Sequence, residues 1–454
     1  MSANVQKAGG LPPSDVSSGV GLAGLLGLFA WILFCRTYPL ISEFFQFAGP
    51  REVLSGPYAA LSAMLFTAGP MAIWSILVDR VHKRESTGIN WSNRREISEV
   101  IDISIVKIAG LWATWAIIAG LYCLARWYWN GQYLFAMEVL TFAAIPMVLL
   151  SVPYVIWLDR VMVNPRDGAW HFGAMLIGRE AYDGEQIKKH WRAWIIKAFF
   201  GAFMISILPG GWVQIVEADV TEIVANPVGL GLLLISLLFV IDVQLGTVGY
   251  LFTLRPLDAH IRSGNPFVAG WLAALICYPP FVWGVIGNGD VLSYEHNVAG
   301  WGHWFDGSPV LLWVWAAWLV FLTGVYAWAT VAFGIRFSNL TYRGVLTNGP
   351  YRFTRHPAYL SKNLFWWCSV LPFLVTNDSL TDAIRNSFFL LAVNGIYYWR
   401  ARTEEAHLLA EDPKYREYYD WMEQHGTITA PLARITRKVT RRGRLPEAPA
   451  HPAE

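Results

Sequence analysis

The chain has 454 residues, of which 55% are hydrophobic and 15% charged, with 24 Trp and a formal net charge of +2. Soluble domains carry about 25% charged residues, so this composition excludes an ordinary soluble protein and implies an all-α membrane protein. A charge so close to balance gives no reason to expect nucleic acid as a partner.

Residues 1–18 contain Gly, Pro and Ser and one basic residue, Lys7. They lack a charged n-region and an A-x-A site, so they read as a short flexible tail and not a signal peptide. Apolar runs then follow one another, each near the ~20 residues that cross a bilayer. They lie near 19–36, 57–79, 105–127, 133–158, 194–215, 228–254, 266–286 and 309–335. Two further runs, near 363–377 and 384–400, bring the expected count to about ten transmembrane helices. The four cysteines, Cys35, Cys123, Cys277 and Cys368, all sit in apolar runs without a CxxC pair, which favours buried inert thiols over a disulfide framework or a zinc site.

The loops alternate in charge. One set carries Arg80, Lys83, Arg84, Arg94 and Arg95, then Arg160, Arg166, Arg179, Lys188, Lys189 and Arg192, then Arg255 and Arg262. The same set continues through Arg336, Arg343, Arg352, Arg355 and Lys362. The other set holds Glu217, Asp219 and Glu222, and then Asp290, Glu295 and Asp306. The positive-inside rule places both termini and the 336–362 loop in the cytoplasm, with the bacterial inner membrane as the expected setting. Trp and Tyr gather at the ends of runs, as at Trp127, Tyr128 and Trp129, in the manner of interfacial belts. The last residues turn basic and then Pro/Ala-rich, and residues 426–454 read as a disordered tail. Its cluster of Arg437, Lys438, Arg441, Arg442 and Arg444 suits either anionic lipid heads or plain solvent.

Asp242 and Lys197 are ionisable residues inside the runs. Asp242 should face a cavity or a partner, with Gln244 as one structural partner. Lys197 lies nearer an end and can snorkel. His296 and His303 have no recognised ligand spacing, so no metal is expected.

The densest polar chemistry lies between Gly349 and Tyr419. It comprises GPYRFTRHPAYLSKN, a helical hairpin from about Leu364 to Trp399, and YYWRARTEEAHLL. The two ends of a hairpin are neighbours, so Arg355 and His356 should face Arg400, Arg402, Glu404 and Glu405. If helix runs through this segment, Arg400 and Glu404 are one turn apart and can pair. The bland readings are loop anchors for Arg352, Arg355 and Lys362 and a solvated helix face for the two glutamates.

Gly349-Pro350-Tyr351-Arg352, Arg355-His356-Pro357-Ala358-Tyr359, the hairpin, Arg400-Ala401-Arg402-Thr403-Glu404-Glu405, and Tyr415 with Tyr418 follow one another in the order and spacing of a known pattern. By these motifs the stretch near 309–425 resembles the isoprenylcysteine carboxyl methyltransferases, integral membrane enzymes that use S-adenosyl-L-methionine. The resemblance implies a C-terminal catalytic module over 301–425, preceded by a multi-helix membrane domain over 19–300 of unassigned role. It implies that His356, Pro357, Tyr359, Glu404 and Glu405 line the cofactor site and that Arg400 faces the methylated group, with Arg355 and Asn363 on the substrate side.

Methyl transfer from a sulfonium is an in-line displacement that rests on proximity and orientation. Carboxylates and aromatic faces such as Glu404, Glu405, Tyr359 and Trp366 favour a sulfonium. Arg400 suits a carboxylate acceptor, and an amine acceptor needs a base, for which His356 is the candidate. The expected acceptor is hydrophobic or lipid-like, with carboxyl methylation favoured. Where the family often has Gly after His-Pro-x-Tyr-aliphatic, this chain has Ser361-Lys362-Asn363. Two alternatives stand beside this reading. The sterol reductases share the architecture and use NADPH, although they carry Asn-Tyr-x-Gly-Asp where this chain has Ala358-Tyr359-Leu360-Ser361-Lys362. A transporter or receptor-like protein is the other, with Pro209-Gly210-Gly211 and Pro279-Pro280 as helix breaks.

Overall fold

The computed structural model describes residues 10–49, 51–178, 181–287 and 291–440, with residues 436–440 described by backbone alone. Lys7, Arg179 and Asp290 lie outside the described residues, and the basic cluster beginning at Arg437 lies outside the described side chains. The described residues are mostly helical, in sixteen α-helices. In order they are α1 Ser18–Phe44, α2 Pro57–Leu77, α3 Ile97–Leu124, α4 Tyr133–Asp159, α5 Gly168–Ile177, α6 Gly184–Ile207, α7 Trp212–Val216 and α8 Val220–Ile223. Then come α9 Pro227–Leu251, α10 Val268–Leu275, α11 Trp301–Trp304, α12 Pro309–Phe333, α13 Pro357–Val370, α14 Leu380–Glu411, α15 Pro413–His425 and α16 Thr429–Thr440.

Local chemistry sets many of the boundaries. Asn226 accepts from the N–H groups of Val228 and Gly229 while Pro227 takes the first position of α9. Asp412 accepts from Lys414 N–H ahead of Pro413 at the start of α15. α13 opens with Pro357, immediately after His356, so the His-Pro pair is a helix start.

Among the described residues, six helices are long and apolar enough to cross a membrane: α1, α2, α3, α4, α9, and α12 extended to Arg336. Their outer faces are apolar and exposed, as Phe142, Ile145, Leu149 and Leu150 on α4 illustrate. The expected ten are therefore not all of this kind. The run near 266–286 makes only the eight residues of α10 before Pro279 and Pro280 interrupt it. The run near 363–377 belongs to the 14-residue α13, about 21 Å long at 1.5 Å per residue and short of a hydrocarbon core of about 30 Å. α6 and α14 are long enough, but each carries a strongly charged end.

α9 packs between α12, α2 and α6 and brings the first half of the chain against the C-terminal module. Gly249 on α9 is needed there, because a Cβ would lie 2.1 Å from Phe337 O. The strand pair Ser263–Gly264 and Thr341–Tyr342 ties the same halves together. Buried Asp258 completes the join: it accepts from Arg336 at 2.6 Å, Arg262 at 3.2 Å and Ser86 at 2.8 Å.

The two stretches expected as tails are partly ordered. Residues 10–17 lie along the 343–348 loop: Asp15 N–H donates to Val345 O at 2.9 Å, and Asp15 Oδ1 pairs with Lys414 at 2.6 Å. Residues 429–440 form α16, whose start is held by Ile428 N–H donating to Phe353 O. Backbone pairing and an ion pair thus offset the entropy that composition alone would leave unopposed.

Away from this join, Lys107 on α3 is buried and reaches Asp159 at 2.5 Å and Asp167 at 3.2 Å, with Ser104 also donating to Asp159. Lys107→Met strands the buried Asp159 carboxylate and leaves the half-buried Asp167 without its cation, and the expected loss is about 3–5 kcal/mol of stability. Adding Asp159→Leu should recover much of it. Thermal unfolding in detergent measures both, and an unchanged midpoint in the single variant would refute the assignment.

Candidate active site

A cavity of about 170 Å³ lies where α12, the 334–351 loop, α13, α14 and α15 meet. Tyr278, just past α10, also lines it, so the first half of the chain contributes to the site. Seven tyrosines face it: Tyr278, Tyr326, Tyr351, Tyr359, Tyr397, Tyr415 and Tyr418. Tyr418 on α15 closes one side by donating its hydroxyl to Tyr351 O at 2.7 Å.

Helix continues unbroken from Leu380 to Glu411, so successive side chains at 404 and 405 point about 100° apart. The two glutamates therefore do different work. Glu404 lines the cavity, accepting from Tyr359 Oη at 2.5 Å and from Arg400 Nε at 3.2 Å. Glu405 turns away from it into a cage of two arginines and a histidine: Arg355 Nε at 2.7 Å, Arg402 Nη1 at 2.7 Å and His356 Nε2 at 3.1 Å. Burial would raise the Glu405 pKa, but the His356 hydrogen bond and the charges of His356, Arg355 and Arg402 outweigh it and bring the group down to about 2. Arg355 also binds Glu423 at 3.0 Å and lies 3.9 Å over the Tyr419 ring, so the cage ties the loop, α14 and α15 together.

Arg400 is buried and donates through Nη2 to Asn339 Oδ1 at 2.6 Å, while its guanidinium lies 5.0 Å from the Tyr359 ring and 5.4 Å from the Tyr278 ring. The His356 ring stacks on Tyr359 at 5.6 Å and lines the cavity while holding Glu405. His407, one turn on from Glu404, faces the cavity and bonds Ser263 at 2.9 Å; burial, with Arg192 adding to it, lowers its pKa to about 4.

The expected site residues thus divide. Tyr359, Arg400, Glu404, His356 and Arg355 converge on one cavity. Pro357 is buried and shapes the start of α13, and Glu405 stands behind the wall. Asn363, expected on the substrate side, points elsewhere: its amide donates to Tyr359 O at 2.7 Å and its carbonyl accepts from Asn394 at 2.5 Å.

Two residues take on roles that the linear reading did not assign. Lys362, read as a loop anchor, lines the cavity; with Tyr359 and Trp366 it forms an i, i+3, i+7 set on one face of α13, a spacing that marks it. Asp242 on α9 is held by Tyr326 at 2.9 Å and by a hydrogen bond from Thr330, both of which line the cavity. Gln244, the partner expected for it, instead donates to Ala60 O at 3.0 Å.

The family described as "Protein of unknown function (DUF1295)" matches residues 304–421. That span runs from before α12 into α15 and holds every candidate residue except Tyr278 and Asp242. No curated protein and no solved structure matches the chain.

Proposed function

We propose that the chain is an integral membrane methyltransferase that uses S-adenosyl-L-methionine and acts on a hydrophobic or lipid-like acceptor, with a carboxylate as the favoured methylated group. The observation that carries this reading is the meeting of Tyr359, Arg400 and Glu404 at one cavity, with Glu405 locking the loop to α14 behind them. The residue types suit that cofactor: Glu404 presents a carboxylate, and the tyrosines present aromatic faces that favour a cation. When bound, the cofactor supplies an electrophilic methyl group on a sulfonium. Tyr359 and Glu404 would hold it, and Arg400 would orient an acidic acceptor through charge-assisted hydrogen bonds. Donors and charges already fixed by Asn339, Tyr278 and the Glu405 cage need no reorganisation when the ligands arrive. With the loop charges read by the positive-inside rule, the cavity opens to the cytoplasm of a bacterial inner membrane.

A second reading, NADPH-dependent reduction, is favoured by one observation. Lys362 and Arg400 both face the cavity, and cations suit a phosphorylated cofactor. Calorimetric titration of the detergent-purified protein separates the two. The expected result is binding of S-adenosylhomocysteine, weakened at least tenfold by Glu404→Gln, and no binding of NADPH. NADPH binding without S-adenosylhomocysteine binding would overturn the methyltransferase reading. Binding of neither by folded protein would favour a transporter or receptor-like role.

A further inference from the structure

Lys362 stands in unusual surroundings. It is partly buried, lines the cavity, and points its ammonium at three rings: Trp366 at 5.1 Å, Tyr397 at 5.6 Å and Tyr326 at 5.7 Å. No carboxylate among the described residues lies within 4.0 Å of it. The nearby carboxylates are already engaged. Asp242 is held by Tyr326 and Thr330, Glu404 by Tyr359 and Arg400, and Glu405 by its own cage. Arg400, flanking the same group of rings through Tyr359 and Tyr278, adds a second positive charge.

Aromatic faces offset only part of the cost of holding an ammonium away from water. The charge of Asp242 reaches Lys362, but its carboxylate is bonded by Tyr326 and Thr330 and not by the ammonium. A cation that lines a cavity without a direct carboxylate partner marks a binding function by default. Part of the cavity wall is apolar, with Ala329, Phe333, Phe337, Leu346 and Leu408 contributing to it. One ligand chemistry matches both features: an acidic head on an apolar tail.

We propose that Lys362 is the seat of an acidic head group, a carboxylate or phosphate, and that the acceptor is an anionic amphiphile whose head lies between Lys362 and Arg400. This rests on the methyltransferase reading for the word acceptor, but the anion seat itself does not. The same charge could come from the carboxylate of the amino-acid end of the cofactor, and the test separates the two sources.

Full-length protein in nanodiscs is titrated with oleate, methyl oleate, dodecyl phosphate and, separately, S-adenosylhomocysteine, using wild type, Lys362→Met and Lys362→Arg. Wild type is expected to bind oleate or dodecyl phosphate at least tenfold tighter than methyl oleate. Lys362→Met should reduce that preference to under threefold, Lys362→Arg should keep most of it, and S-adenosylhomocysteine affinity should stay within twofold throughout. Lys362→Gln replaces the Met variant should that one not fold. A preference that survives removal of the charge, or a wild type without preference, overturns the proposal. So does a variant that loses S-adenosylhomocysteine while keeping its preference for oleate, since the anion would then be the cofactor's own. Loss of the oleate preference in Lys362→Met, in a protein that never binds S-adenosylhomocysteine, would keep the anion seat and sink the methyltransferase reading.

Discussion

Glu405→Ala is expected to destabilise the protein by about 3–5 kcal/mol, the range for removing one partner from a buried charge cluster. It leaves Arg355, Arg402 and His356 facing one another without their shared carboxylate. Because Arg355 also reaches Glu423 on α15, the loss should spread to the closure of the cavity. The pH dependence gives a second readout. The native pKa of Glu405 lies near 2, below its ordinary value of 4.5, so the unfolded chain binds the proton more readily. The stabilisation is therefore present above about pH 4.5 and is lost as pH falls toward 2. At 1.36 kcal/mol per pH unit, a depression of this size is worth about 3 kcal/mol, in keeping with the mutational figure. Glu405→Gln should remove most of that acid-limb dependence while keeping more of the fold than alanine does. Thermal unfolding of the detergent-solubilised protein between pH 2.5 and 7 measures both effects. An acid limb identical in wild type and Glu405→Gln would refute the cage as a source of stability.

How far linear reading reached depended on the kind of signal. Hydropathy located α1, α2, α3, α4, α9 and α12, because each is a long uninterrupted apolar run. Other expected runs do not make one long apolar helix, because one is broken at Pro279-Pro280 and α13 is short. The pairing of Arg400 with Glu404 was legible from the i, i+4 spacing alone. The separation of Glu404 from Glu405 needed the rotation of α14 about its axis, which motif matching does not supply. Lys362 and Asn363 exchanged roles for the same reason: adjacent residues on a helix face different neighbours, and only packing decides which one meets the cavity. The contribution of Tyr278 comes from far along the chain and left no local pattern, whereas Asp242 was marked by a carboxylate inside an apolar run and only its partners, Tyr326 and Thr330, needed the packing. The buried Lys107 cluster was equally silent, since its partners lie 52 and more positions away.

Arg400→Ala should produce the largest loss of function. Its guanidinium is the one group that joins the cavity's carboxylate, through Glu404, to the 334–351 loop, through Asn339, and to the first half of the chain, through Tyr278. If it orients the acceptor, removing it takes away a fixed donor at the reacting group, and losses of about 10²–10³-fold in turnover are typical for such a donor. S-adenosylhomocysteine affinity should fall by less than about tenfold, because Glu404 keeps the Tyr359 hydrogen bond. Arg400→Lys should recover little, since a single ammonium cannot reach Glu404 and Asn339 in the geometry of the planar fork. Release of S-adenosylhomocysteine in the presence of an acidic lipid fraction measures turnover, and calorimetry measures binding. Combined with Glu404→Gln, the two substitutions should be strongly non-additive, because each removes the same ion pair. Independent, additive losses would mean that the Arg400–Glu404 ion pair couples nothing between cofactor and acceptor, each residue then acting on its own ligand alone. Equal losses in turnover and in S-adenosylhomocysteine binding would move Arg400 from the acceptor to the cofactor, with Lys362 among the cavity-lining cations that remain for an acidic head group.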